Sequence, residues 1–163
     1  MDLLKQPVFD ALDRLGISYE AYEHPAVFTS QDADQYWSGI GGTAVKNLFL
    51  RNKKGDREYL VVLGIEKRAD LKQLVRIIGD DRFSFGSAGR LMHTLGLTPG
   101  SVSPFGLLHE NSRAVQVVID ADLRAADRLI FHPNINTASV TISFADLERF
   151  LSTTGNPVRY LDL

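Results

Sequence analysis

The chain reads as an α+β protein in which a mixed, mostly antiparallel sheet is surrounded by helices. Apolar residues recur at helical spacing in four separate segments, and short β-branched or aromatic runs lie between them. The order of the two lacks the regular alternation of a doubly wound parallel sheet, and neighbouring strand runs are joined by turn residues, as in hairpins.

Each element has its own local reason. Pro7 precedes Val8, Phe9, Leu12 and Leu15, with Gly16 as the stop, which predicts an amphipathic first helix. Ile17 to Glu23 is short and aromatic and is broken by His24-Pro25, so it predicts a strand. Thr29 or Ser30 is the expected cap of a short acidic helix. Gly39, Gly41 and Gly42 lead into a strand from Ala44 to Arg51, paired across the Lys53 to Asp56 turn with Tyr59 to Leu63. Asp70 opens a helix closed by Gly79, and Ser87 opens another closed by Gly96. Val115 to Ile119, Arg128 to Phe131, Ser139 to Ile142 and Val158 to Leu161 are strand runs, and Ser143 caps a helix that turns Phe144, Leu147, Phe150 and Leu151 inward.

Length and composition narrow the class. The 163 residues suit one domain, 1–163, and 44% apolar with 23% charged residues is the composition of a folded chain. There are no cysteines, so disulfides, thiolate metal sites and cysteine nucleophiles are excluded. No stretch reads as a signal peptide or a membrane span, which makes the cytoplasm the expected location. The formal charge of −2 hides a basic segment: from 46 to 76, nine Lys and Arg face four acids, leaving the remainder at −7. Such a segment either attracts a phosphate backbone or is a solvated, charged hairpin.

Several motifs fail on spacing. Thr43-Ala44-Val45-Lys46 lacks the partner motifs of a kinase, and Lys46 is not set in the Gly-Lys-Ser/Thr order of a phosphate loop. Gly86-Ser87-Ala88-Gly89 is one residue out from a nucleophile elbow, and histidines 24, 93, 109 and 132 lack metal-ligand spacing, so no metal is expected. Three pieces remain. Lys46-Asn47 interrupts an apolar strand after a glycine-rich approach, either facing solvent or facing a ligand. Gly100 to Gly106 is a loop able to offer backbone N–H groups to a developing oxyanion. His132-Pro133-Asn134-Ile135-Asn136-Thr137 ends a strand with the composition of a pocket rim or of a capped turn.

Taken in order, these pieces resemble the YbaK/ProX family of aminoacyl-tRNA editing domains, similar to the editing domain inserted in bacterial prolyl-tRNA synthetases. Ala44-Val45-Lys46-Asn47-Leu48-Phe49-Leu50 looks like the family's lysine strand, Gly100 to Pro104 its Gly-x-x-x-Pro loop, and His132-Pro133 with Asn136-Thr137 its C-terminal pocket segment. The pattern most resembles the freestanding ProXp-ala (PrdX-type) branch, with departures at Ser103 and Asn134, where threonine and an apolar residue are frequent. The resemblance implies a sheet curling toward a barrel and hydrolysis of mischarged Ala-tRNA(Pro), without a cofactor. It assigns Lys46, Gly100 and Pro104 to catalysis, Lys46 as an anchor for the acceptor end, and Asn47, Phe28, Ser103, His132, Asn136 and Thr137 to substrate binding. The implied partners are the tRNA(Pro) acceptor end and prolyl-tRNA synthetase. Two alternatives stay open: removal of cysteine, serine or threonine by the same chemistry, and a noncatalytic nucleic-acid-binding module.

Overall fold

The computed structural model describes residues 3–26 and 35–163. Phe28 and the expected cap at Thr29 or Ser30 lie outside the described residues.

The first helix, α1, runs from Gln6 to Arg14 and buries Val8, Ala11 and Leu12. Strand β1 is Glu20–Glu23, and the hairpin of β2 (Thr43–Arg51) and β3 (Glu58–Gly64) follows. Helices α2 (Leu71–Ile78) and α3 (Ala88–Leu95) flank a two-residue strand β4 (Ser84–Phe85). Next come a 3-10 turn at Pro104–Leu108, β5 (Gln116–Asp120), β6 (Leu129–Phe131), β7 (Ala138–Ile142), α4 (Phe144–Thr154) and β8 (Val158–Leu161). The capping residues act as the sequence suggests: the side chains of Asp70, Ser87 and Ser143 accept hydrogen bonds from the N–H of Gln73, Arg90 and Asp146. Each such cap is worth about 1 kcal/mol, because it satisfies an amide that the helix itself cannot.

The strands form one mixed sheet in the order β1-β7-β6-β2-β3-β5-β8, with β4 set against the end of β2. Antiparallel pairs join β1 to β7, β7 to β6, β2 to β3 and β2 to β4, and parallel pairs join β2 to β6, β3 to β5 and β5 to β8. The sheet does not close into a barrel: β1 and β8 end it.

Strand alternation splits the apolar residues between two faces. Val45 and Phe49 of β2, Leu60 and Val62 of β3, Val117 and Ile119 of β5, and Leu129 and Phe131 of β6 join the main core with α1, α3 and α4. The opposite face carries two smaller clusters. Leu48, Leu50, Val61 and Leu63 pack under α2, and Ile130 packs with Trp37 and Ile40. The central strands β2, β3, β5 and β6 therefore carry buried apolar residues on both faces, whereas β1 and β4 are largely exposed.

The basic segment is not one continuous face. Lys67 is held by Asp120 and Asp122, both at 2.6 Å, Arg57 pairs with Asp80 at 3.5 Å, and Arg51 donates to the backbone carbonyls of Asn52 and Lys53. Lys72 and Arg76 of α2, with Arg82, line a cleft of about 660 Å³.

Candidate functional site

The central feature is the place where β2 and β6 part. These parallel strands pair only at Thr43 with Leu129 and Ala44 with Ile130, after which β2 runs on toward Arg51 beside β3. A crevice beyond the carboxyl ends of parallel strands is the usual ligand position in open sheets with helices on both faces. Lys46 and His132 each lie two residues past the last pair, Ala44 and Ile130, on the face away from the main core. Lys46 is half-buried, which sets its alkyl stem along the sheet and its ammonium toward the rim.

Asn47 takes the opposite face. It pairs with Val62 between Val45 and Phe49, so it points to the side on which the loop around Gly100 packs. Its amide oxygen is buried, and among the described residues nothing donates to it. Buried acceptors are nearly always paired in native proteins, so this oxygen marks a position open to a further donor. Lys46 and Asn47 therefore point to opposite faces of the sheet.

The loop is built from its turn chemistry. Gly100 is exposed at φ +91°, a conformation that a residue with a Cβ rarely adopts. Pro104 starts the 3-10 turn, where its missing N–H costs nothing. The Ser101 amide donates to Thr98 O at 3.1 Å, and those of Phe105 and Gly106 donate to the hydroxyl and carbonyl of Ser103 at 3.0 and 3.1 Å. These bonds narrow the main-chain donors of the loop to Gly100, Val102 and Ser103. Ser103 itself is fully buried, its hydroxyl donating to Asn134 Oδ1 and accepting from the Phe105 amide.

The third wall is the turn between β6 and β7. Asn136 comes beside Gly100, its Nδ2 being the nearest atom, at 4.0 Å, to where a Gly100 Cβ would stand. Thr137 is exposed, and its carbonyl accepts from the His24 amide at 3.0 Å. His132 is half-buried and its Nδ1 lies 3.2 Å from Ala138 O. A carbonyl only accepts, so Nδ1 carries the proton and Nε2 is left as an acceptor. Burial pushes the His132 pKa below its ordinary value, with a small further push from His24, against the hydrogen bond to Ala138. The ring is therefore neutral at pH 7. An NMR titration is expected to give His132 a midpoint below 6.5. As pH falls through that value the unfolded chain takes up a proton that the folded histidine refuses, so stability falls in the same window.

Sequence reasoning missed the polar cluster beneath His132. Ser139, fully buried, accepts from Trp37 Nε1 at 2.9 Å and bonds His24 Nε2 at 2.8 Å. Indole N–H only donates, and His24 Nδ1 faces Pro25 O at 2.9 Å, so the Ser139 proton goes to His24 Nε2. The rings of Trp37 and His24 lie 5.7 and 6.5 Å from that of His132. A serine alternating with Val140 reads as solvent-facing in the sequence, and only the packing of Trp37 over β7 reverses that reading. Replacing Ser139 by alanine leaves the buried Trp37 N–H and the half-buried His24 Nε2 without their partner. The expected cost is about 2 kcal/mol, or roughly 4–8 °C in Tm by calorimetry.

No group of three His, Asp or Glu among the described residues is placed to hold a metal ion, and no helix among them is long and apolar enough to cross a membrane.

Comparison with known proteins places the chain in a family. The chain is 40% identical over 159 residues, 98% of its length and 97% of the relative's, to the prolyl-tRNA editing protein ProX of Acetoanaerobium sticklandii. It is 33% identical to the prolyl-tRNA synthetase associated domain-containing protein 1 of Danio rerio, over 93% of this chain and 83% of that one. A crystal structure described as a candidate trans-editing enzyme for prolyl tRNA synthetase shares the fold, with a TM-score of 0.74 at 23% identity over 100% of this chain and 99% of the other. The aminoacyl-tRNA editing domain model matches residues 24–150, so Lys46, the Gly100 loop and the His132 turn all fall inside the matched span, and the chain belongs to the aminoacyl-tRNA editing domain family.

Proposed function

We propose that residues 1–163 form one trans-editing domain that hydrolyses alanine from mischarged Ala-tRNA(Pro), in the cytoplasm and alongside prolyl-tRNA synthetase. The observations that support the reading are that Lys46 and the neutral His132 lie on one face just past the end of the β2–β6 pairing, and that Asn136, on the turn after β6, comes beside Gly100. The names of the ProX and synthetase-associated relatives support the choice of proline tRNA.

The chemistry needs no covalent nucleophile, because an aminoacyl ester is already activated. Water attacks the ester carbonyl carbon, the bond from that carbon to the ribose oxygen breaks, and the proton ends on the ribose oxygen. The Lys46 ammonium anchors the terminal phosphate and ribose, which turns attack into a positioned, effectively unimolecular step. The amides of Gly100 and Val102 are the donors available to the carbonyl oxygen as negative charge develops on it. A neutral His132 suits the wall around a substrate α-ammonium, since an imidazolium there would repel it. Proline adds two ring carbons to the bulk of alanine, and His132 and Asn136 are the residues proposed to exclude the ring sterically, a stronger lever than attraction for a missing methylene.

The test is deacylation of Ala-, Pro-, Ser- and Cys-tRNA(Pro) by the purified protein. Selective loss of alanine is the expected result. Selective loss of serine or cysteine moves the amino acid while keeping the reaction, and hydrolysis of none of the four above the spontaneous rate overturns the reading.

A further inference from the structure

Ser103, in the loop after Gly100, and Asn134, in the turn between β6 and β7, are bonded to each other. Ser103 Oγ donates to Asn134 Oδ1 at 3.0 Å, Asn134 Nδ2 donates to Phe105 O at 3.3 Å, and Phe105 N donates to Ser103 Oγ at 3.0 Å. The three bonds close into a ring. They admit one orientation of the Asn134 amide, because exchanging its oxygen and nitrogen would set Oδ1 against a carbonyl and Nδ2 against a hydroxyl proton. Asn134 also has φ +65°, the only positive φ outside glycine among the described residues. Asparagine is one of the few side chains that tolerate this conformation, so backbone and side chain are both committed here.

One side of this ring is immobile. Phe105 is fully buried, with its ring packed edge-on against Phe131 at 5.9 Å and Phe150 at 5.2 Å. Asn134 transmits that fixed position to the β6–β7 turn, two residues from His132 on one side and two from Asn136 on the other. Ser103 does the same for the loop that begins at Gly100. Both walls of the crevice are thus referred to a single core residue through a single amide.

We propose that Ser103 and Asn134 are a positioning pair that sets the separation between the Gly100 loop and the His132 turn, and with it both the rate of deacylation and the rejection of the larger amino acid. The proposal rests on the deacylase reading above. Neither side chain touches substrate; each acts through the wall it holds.

Asn134→Gly is the informative variant, because glycine keeps the positive φ without strain and removes only the amide. It is expected to lower kcat for Ala-tRNA(Pro) about 10- to 100-fold, the loss that a misplacement near 1 Å produces, with KM little changed. Discrimination against Pro-tRNA(Pro) is expected to shrink. Ser103→Ala should give the same loss, the double variant should lose no more than either single one, and Ser103→Thr, which keeps the hydroxyl, should restore activity. Amide hydrogen exchange at Phe105 and Gly106, faster in both single variants, reports the ring independently of activity. If Asn134→Gly does not fold, Ser103→Ala carries the same comparison. Unchanged kcat and unchanged discrimination in the folded variants overturn the positioning pair while the deacylase reading stands. A wild-type protein that deacylates none of the tested aminoacyl-tRNAs overturns both.

Discussion

Replacing Lys46 with alanine is expected to lower deacylation of Ala-tRNA(Pro) by about 100-fold or more, the scale on which removing one well-placed electrostatic contact acts. Lys46 forms no ion pair among the described residues, in contrast to Lys67, whose ammonium is held by Asp120 and Asp122. Its charge is therefore available to a phosphate. The same absence of partners predicts that the variant folds normally, with Tm shifted by no more than about 2 °C, since surface substitutions that break no network change stability by about 0.5 kcal/mol. Steady-state deacylation and a thermal melt check the two halves together. A noncatalytic binding module predicts otherwise. There Lys46 is one cation among several, with Lys72, Arg76 and Arg82 lining a separate cleft. Removing it would then lower the salt slope of tRNA binding by about one and leave no catalytic rate to lose.

Gly100→Ala is expected to be nearly as damaging, for a conformational reason. A Cβ at Gly100 would meet nothing closer than Asn136 Nδ2 at 4.0 Å, so there is room for it. The backbone at φ +91° is what forbids it. Holding a non-glycine residue in such a region costs on the order of 1–3 kcal/mol, and an exposed loop relieves that strain by moving. Movement reorients the amides of Gly100 and Val102, with an expected 10- to 100-fold loss of deacylation at roughly the scale of a 1 Å misplacement. Gly89→Ala is the control: it lies in α3 away from positive φ with nothing near its Cβ, and it should stabilise the helix by about 0.5–1 kcal/mol with activity unchanged.

Where local chemistry decides, the sequence reading and the structure agree closely. The caps at Asp70, Ser87 and Ser143 and the stops at Gly79 and Gly96 stand where the residues put them, because each is settled within one turn of chain. The β2–β3 hairpin follows from its turn, with Leu50 opposite Tyr59. What sequence pattern misses is pairing across long separations. The three parallel pairs are joined by crossovers whose direction no local signal records, and β4 is two residues whose strand character exists only because β2 lies beside them.

The same division runs through the site. Lys46, Gly100 and His132 are legible because each breaks a local pattern: a charge in an apolar strand, a glycine in a loop, a histidine at a strand end. The sequence by itself determined the family, the elements and the residue types available for the chemistry. Tertiary structure alone decided that Asn47 faces away from Lys46, that Ser139 is buried under Trp37, and that Ser103 reaches Asn134. Each of these depends on which face of a strand or turn meets which neighbour, and faces are assigned by packing between separate segments, 31 residues apart for Ser103 and Asn134 and 102 for Trp37 and Ser139, a term that no local propensity contains.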